Sequence, residues 1–384
     1  MNEPPSTAVA LGKRVRVLHF VTGGFSGGAT QVAIALVNAA LAGPRVEPLL
    51  VLRRKWRTDP ARIAQLREQD VPLATVAGFP HALTVFSLLR ICRKFRPDVL
   101  VAHGFSEHLW GRYAGLLARV PVLVHVEHNT HERYTAWRLA QARWLARRTA
   151  CIVGCSEGVR RRLLELGFPP ARTIAIPNGI RLEPFADLDA HPFAQRVAGI
   201  VMVARFSRQK DHATLLRAIA LLRDRNLVPP VLLCGGGKRR SAMETLSVEL
   251  GVAGQVQFLG VCRDVPGLLL RHQLAVLATH HEGMPLALLE GMAAGCAVVG
   301  SDVQGVREVI GEGVNGRLVP PRDPLALADV LEALLRAPVH AARLGAAARQ
   351  TALQQHGREQ MNDRYEDLFV RLAGEYRHAN NARA

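Results

Sequence analysis

The sequence predicts an α/β chain built as two doubly wound parallel sheets that face each other across a cleft. Three observations carry this. Short apolar runs alternate with amphipathic helical stretches from residue 15 onward; the alternation breaks once, near residue 190, and restarts; and from Pro324 the pattern is helical only. At 384 residues, 49% hydrophobic and 21% charged, the chain has core material for two such units, which excludes disorder as its main state.

The first sheet is expected from runs at residues 15–21, 47–52, 98–103, 122–126 and 151–154. Within 29–42, Ala33, Leu36, Val37, Ala40 and Leu41 recur at helical spacing, so this helix buries one face on the sheet. Periodicity is lost near Pro177-Asn178-Gly179 and through 183–196, where Pro184, Asp187, Asp189 and Pro192 crowd a short stretch. Strands are then expected at 199–204, 231–234, 255–259, 274–278 and 297–300, with helices at 211–225, 241–250 and 285–294. The expected organisation is a first domain over 1–185, a linker over 186–197, a second domain over 198–358 and a helix over 359–384 that crosses back to the first. In open parallel sheets ligands bind beyond the carboxyl ends of the strands, so the chemistry belongs in the interdomain cleft.

Forty-nine Lys and Arg against 32 Asp and Glu give a net charge of +17, which favours an anionic partner. The basic residues are scattered and aromatics make up only 5%, a poor match to the basic, aromatic-lined stripe of a nucleic-acid binder. The longest apolar stretch, 284–300, carries Glu290, and residues 1–12 lack a leader-type apolar core, so a soluble cytoplasmic chain is expected. Cys92, Cys151, Cys155, Cys234, Cys262 and Cys296 contain no C-x-x-C pair and are expected to be reduced core residues.

Three strand-end segments carry the chemistry. Thr22-Gly-Gly-Phe-Ser-Gly-Gly28 joins a strand to a helix, a place for an anion or substrate, or else a turn that needs positive φ. It is not G-x-G-x-x-G, but Arg53-Arg54-Lys55 at the end of the second strand suits a 2′-phosphate and keeps an NADP-type oxidoreductase as an alternative. Arg205 and Lys210, five apart before a helix, supply the cations that a metal-free pyrophosphate leaving group needs. The third segment runs from His280 to Gly295. Pro285 is expected as the first helical residue, with Glu282 in the loop before it and Glu290 on an apolar helix face. A buried carboxylate needs a donor, and vicinal ribose hydroxyls would serve; singly, an internal Arg partner or a helix-dipole effect accounts for either acid, but together with Arg205 and Lys210 a site is favoured.

Gly27-Gly28-Ala29, Pro177-Asn178-Gly179-Ile180, Val203-Ala-Arg205 with Lys210, Phe258-Leu-Gly260, the pair Glu282/Glu290, Gly291-Met-Ala-Ala-Gly295, Gly305 with Glu308, and Gly316-Arg-Leu-Val-Pro320 together resemble family 4 of the retaining GT-B nucleotide-sugar glycosyltransferases. The resemblance implies two Rossmann-like domains, C-terminal helices packing back on the N-terminal domain, a UDP- or GDP-type sugar donor, and no metal or further cofactor. It implies Arg205 and Lys210 as the diphosphate clamp, Glu290 as the ribose ligand, Glu282 at the hydroxyls of the transferred sugar, and His128 near the reacting carbon. Gly283, Met284 and Leu286 would turn backbone amides toward the donor, with Gly28 and Gly260 as further donor-binding positions; Gln304 stands where the family more often has Gly.

His103 ends a strand and is read either as holding the acceptor or as bonded to backbone. His125, His128 and His131 do not suggest zinc, because strand alternation separates the first two and no further ligand completes a set. Asp187-Leu-Asp189 reads as linker. The cluster Arg53-Arg54-Lys55-Trp56-Arg57 is either a solvated loop or an anchor on anionic lipid, while Trp137 and Trp144 are expected in the core with a basic rim. The expected partners are a nucleotide sugar, a glycan or lipid-linked acceptor and an anionic membrane surface on the inner face of the plasma membrane, in polysaccharide or glycolipid assembly. The oxidoreductase and nucleic-acid alternatives leave Glu282 and Glu290 unexplained.

Overall fold

The computed structural model describes residues 13–382 apart from 26, 57, 106, 132, 133 and 189. Asp189 and Arg57, named above, therefore lie outside the described residues. The N-terminal half contains β1 (Val15–Thr22), α1 (Gly28–Ala42), β2 (Val46–Arg53), α2 (Pro60–Glu68), β3 (Leu73–Val76), α3 (His81–Phe95), β4 (Val99–His103), α4 (Glu107–Leu117), β5 (Val122–Glu127), α5 (Ala136–Ala146), β6 (Cys151–Gly154), α6 (Glu157–Glu165) and β7 (Thr173–Ala175). The C-terminal half contains β8 (Val197–Val203), α7 (His212–Asp224), β9 (Val231–Cys234), α8 (Arg240–Glu249), β10 (Val256–Gly260), α9 (Val265–Leu270), β11 (His272–Leu277), α10 (Leu286–Ala293), β12 (Ala297–Ser301), α11 (Gln304–Arg307), β13 (Arg317–Val319), α12 (Pro324–Arg336), α13 (Pro338–Gln355) and α14 (Arg358–Asn381).

Both sheets are parallel, in the orders β3-β2-β1-β4-β5-β6-β7 and β10-β9-β8-β11-β12-β13. The predicted two-sheet α/β architecture is therefore the observed one. In each sheet the winding reverses at its first strand: β1 lies between β2 and β4, and β8 between β9 and β11. Those reversals leave a crevice at the carboxyl edge, where ligand-binding loops belong.

Buried apolar side chains hold the helices to the sheets. On α1, Val32, Ala33, Leu36, Val37 and Ala40 are buried, whereas Leu41, expected on the same face, is 40% exposed because it lies past the edge of that stripe. Strands β3, β7 and β13 were not anticipated, being three or four residues long with partly exposed side chains. The terminal helix α14 leaves the second sheet behind: its Met361, Tyr365, Leu368, Phe369 and Leu372 pack with Val15, Val17, Leu36 and Val101 of the N-terminal domain. No described helix is long and apolar enough to cross a membrane.

Two expectations are corrected here. Cys234 and Cys262 form a disulfide rather than remaining reduced, because the ends of β9 and β10 are neighbours and bring their Cα atoms to 6.0 Å; Cys92, Cys151, Cys155 and Cys296 are free and buried as expected. Trp137 and Trp144 are 75% and 45% exposed, since α5 buries Ala142, Leu145 and Ala146 and turns its tryptophans outward, with Arg148 stacked 3.9 Å over Trp144.

Candidate active site at the interdomain cleft

The β8–α7 loop and the β11–α10 loop flank the second switch point and are tied together by backbone. Asp211 N–H donates to Ala278 O at 2.9 Å, His280 N–H to Gln209 O at 2.9 Å, and the Gln209 amide to His281 O at 2.7 Å. Between them sits Glu282, only 6% exposed. Its Oε1 accepts from Lys210 Nζ in a short ion pair, from Thr279 Oγ1 at 2.8 Å and from Gln209 Nε2 at 3.3 Å. A carboxylate oxygen held by three donors is a poor nucleophile and a well-fixed acceptor. Thr279 and Gln209 were absent from the sequence reading; their place beside the Glu282 and Lys210 loops was the available signal.

Arg205, the other expected cation, stands exposed at the start of its loop, with no hydrogen bond or ion pair to its guanidinium among the described residues. Glu290 lies on α10, where burial raises its carboxyl to about 7, opposed by Arg181. Among the described residues nothing hydrogen-bonds its side-chain carboxylate. Pro285 is the residue capping α10 rather than its first helical residue, in extended backbone at φ −85° and ψ 90°.

The N-terminal domain closes against these loops. A Cβ on Gly283 would fall 2.2 Å from the His128 carbonyl oxygen and 3.0 Å from Cys155 Sγ, so only glycine permits this approach. Thr130 Oγ1 donates to Glu282 O at 2.9 Å, and Gly28 faces Leu286, whose Cδ1 is 3.8 Å from where a Cβ on Gly28 would stand. Met284 is buried beside them. Glu308 and Gln304 complete the junction at the start of α6: the Glu308 carboxylate accepts from the N–H groups of Glu157 and Gly158, and Gln304 Nε2 donates to Gly158 O at 3.2 Å. The glutamine is thus an interdomain contact.

Gly260 lies apart from Glu282, on the edge strand β10 at φ +71°, where its carbonyl accepts from Gly235 N–H at 2.6 Å. Gly235 leads a Gly-Gly-Gly run absent from the sequence reading; a Cβ there would lie 2.0 Å from Ala204 O, which seats this turn directly on the Arg205 loop.

His128 belongs to a chain of rings. His19 Nδ1 lies 3.1 Å from His103 Nε2, and His103 Nδ1 lies 3.3 Å from His128 Nε2, one ring from each of β1, β4 and the end of β5. Burial lowers His19 to about 3, His128 to about 4, and His103 well below its usual value, so all three are neutral near pH 7. Each neutral imidazole has one donor and one acceptor nitrogen, so the tautomer of one ring dictates the next. His103 is fully buried within this chain, with Nε2 and Nδ1 both within hydrogen-bond distance of a neighbouring histidine.

Arg53 is also corrected. It is 4% exposed, lies 3.3 Å from buried Glu107, and donates to Gly78 O at 2.7 Å, with its Nη2 2.8 Å from His81 Nδ1. Its charge is spent inside the fold, which leaves neither a 2′-phosphate site nor a lipid anchor at this residue; Arg54, Lys55 and Trp56 remain exposed.

Residues 26–184 match the family model described as Glycosyltransferase Family 4, and residues 187–351 match Glycosyl transferases group 1. The chain belongs to these glycosyltransferases. Among its relatives, a lipopolysaccharide core biosynthesis glycosyltransferase of Rhizobium meliloti, LpsE, is 27% identical over 93% of this chain and 99% of its own. A putative glycosyltransferase of Bacillus subtilis, EpsD, is 29% identical over 74% of this chain and 80% of its own. The crystal structure of Anabaena HepE in complex with UDP and glucose superposes with a TM-score of 0.79, covering 92% of this chain and 99% of that one at 21% identity, a likeness of fold.

Proposed function

We propose that this glycosyltransferase moves a hexose from a UDP- or GDP-type sugar to a glycan or lipid-linked acceptor in bacterial polysaccharide or glycolipid assembly, with retention at the anomeric carbon. The observation that carries this is the Lys210–Glu282 pair, locked between two strand-end loops at the switch point of the C-terminal sheet and closed over by the N-terminal domain at His128. Lys210 and Arg205 compensate the departing diphosphate in place of a metal ion, Glu290 accepts from ribose hydroxyls, and Glu282 faces the sugar. Glu282 Oε1 is held by Lys210, Thr279 and Gln209, which suits a fixed acceptor for the sugar's hydroxyls, and the reaction is assigned to same-face substitution without a protein nucleophile. The bond from anomeric carbon to diphosphate oxygen breaks, the acceptor oxygen bonds to that carbon, and the acceptor proton passes to the leaving diphosphate.

The names of relatives support the acceptor class. An Escherichia coli enzyme 25% identical over 62% of this chain is named for galactosyl transfer from UDP-Gal to a GlcNAc-diphosphoundecaprenol. A lipid-linked acceptor of this kind supports the reading that the enzyme works peripherally at the cytoplasmic face of a membrane. The test is a panel of UDP-, GDP- and ADP-sugars followed by thermal shift and product analysis: the donor should raise Tm, and the product linkage should keep the donor's anomeric configuration. No response to any nucleotide sugar would sink this reading, and an inverted linkage would sink the retaining mechanism.

A further inference from the structure

Two hollows lie side by side at the outer end of the N-terminal sheet. One, of about 450 Å³, runs between α3 and α4 and is lined by Val85, Phe86, Leu89, Trp110, Tyr113 and Leu117. The other, of about 430 Å³, opens between the β2–α2 and β3–α3 loops, where Ile63, Trp56 and Phe79 meet Arg54 and Lys55. Phe79 and His81 join them: their rings make an edge contact at 6.1 Å, and His81 stacks on Trp110 at 4.4 Å. Around the hollows Trp56 is 93% exposed, Phe79 80%, Leu117 61% and Phe86 54%, a contiguous apolar surface of the kind that marks a binding site.

The charge at this surface is mainly positive: the exposed acid of the β2–α2 loop, Asp59, is turned to the start of α2, where its carboxylate accepts from Ala61 N–H at 2.9 Å. Arg54 and Lys55 are exposed at the mouth of the second hollow, and α3 carries Arg90, Arg93 and Lys94 outward with no acidic residue along its length. Glu107, the acid beneath the mouth, is buried and paired with Arg53 and Lys55. The second hollow also abuts the glycine loop of the cleft: Gly23 N–H donates to Arg53 O at 2.8 Å, and a Cβ on Gly23 would stand 2.7 Å from Thr58 Oγ1 on the hollow's wall.

We propose that this apolar trough with a cationic mouth binds the lipid part of the acceptor, an isoprenoid chain between α3 and α4 with its diphosphate at Arg54 and Lys55, leaving the glycan to reach past Gly23 into the cleft. The inference rests on the lipid-linked reading of the acceptor and adds its binding site. Trp56 and Trp110 line the two hollows, so tryptophan fluorescence of the full chain reads occupancy. Farnesyl diphosphate should bind saturably and at least about tenfold more tightly than farnesol or inorganic pyrophosphate. Phe86→Glu, and Arg54→Ala with Lys55→Ala, should each weaken it about tenfold or more while the thermal shift given by UDP keeps its wild-type size. These side chains face solvent, and the UDP response reports that the variants are folded.

Equal affinity for pyrophosphate and farnesyl diphosphate, or wild-type binding by Phe86→Glu, overturns the proposal. So does binding to phosphatidylcholine–phosphatidylglycerol vesicles without binding of farnesyl diphosphate, which would make this face a bilayer dock. A chain that takes UDP but not farnesyl diphosphate defeats this inference alone. One unresponsive to every nucleotide sugar defeats the proposed function and removes the acceptor role from the trough.

Discussion

Glu308 Oε1 accepts a hydrogen bond of 2.6 Å from the backbone N–H of Gly158, fastening the C-terminal domain to the first turn of α6 in the other domain. Its second oxygen accepts from Glu157 N–H at 2.8 Å. A carboxylate here satisfies two otherwise free helix donors and meets the positive end of the helix dipole. Glu308→Ala should cost about 1–3 kcal/mol and let the domains part. Thermal unfolding and small-angle scattering would check both; an unchanged Tm and scattering curve would show that the junction is held by other contacts.

Lys210 and Glu282 depend on each other, both side chains being largely buried at 14% and 8% exposure. Lys210→Ala leaves the carboxylate with Thr279 and Gln209 as its remaining donors, so the cost should be about 3 kcal/mol, at the low end for breaking a buried pair. Turnover should fall by about 100-fold or more. Denaturant unfolding alongside initial rates tests the pair of effects, and retained stability with retained rate would remove Lys210 from the site.

Arg205 should behave differently. Its side chain is exposed and, among the described residues, makes no hydrogen bond or ion pair, so Arg205→Ala should leave Tm within error while slowing turnover about 100-fold. Wild-type turnover in this variant contradicts the diphosphate role.

Glu290 carries a pH signature. Its carboxyl, normally at 4.5, is raised to about 7 in the fold, so the folded chain keeps a proton that the unfolded chain loses, and stability falls as pH rises between these values. Glu290→Gln should abolish that fall. If the ionised carboxylate binds ribose hydroxyls, donor KM should drop between about pH 6 and about pH 8 in the wild type and stay flat in the variant. Matching profiles in both proteins would show that Glu290 does not touch the nucleotide.

The buried histidines act in the opposite sense. His19, His103, His108, His125 and His128 are all held below their usual value of 6.5 by burial, so the unfolded chain takes up protons that the folded chain refuses. Stability should therefore be lost as pH falls from 6.5 toward about 4, each ring contributing up to about 1.4 kcal/mol per pH unit in that window. Urea unfolding between neutral pH and pH 5 would show net proton uptake of several per molecule. A flat profile would mean that the rings are charged or hydrated in the folded protein.

Much of the fold was legible in the chain. β6 and β9 fall on the runs at 151–154 and 231–234 residue for residue, because central parallel strands are buried on both faces and read as unbroken apolar stretches. The short edge strands β3 and β13 carry no such run and escaped notice. The loop bearing Glu282 and the loop bearing Lys210 were legible for a related reason: each joins a recognisable strand to a recognisable helix, so each had to open at the carboxyl edge.

What the chain determined by itself, then, is local: which segments are strands and helices, that two parallel sheets form, and which loops border the cleft, since apolar period and turn residues act between near neighbours. The tertiary structure alone decided the partners. Arg53, apparently a free cation, is consumed by Glu107 from 54 residues away; Cys234 meets Cys262; Trp137 and Trp144 turn outward; and His19, His103 and His128 become one chain of rings. Whether a charge is free or spent depends on which side chain faces it across the sheet, and strand order, which no local pattern encodes, sets that encounter.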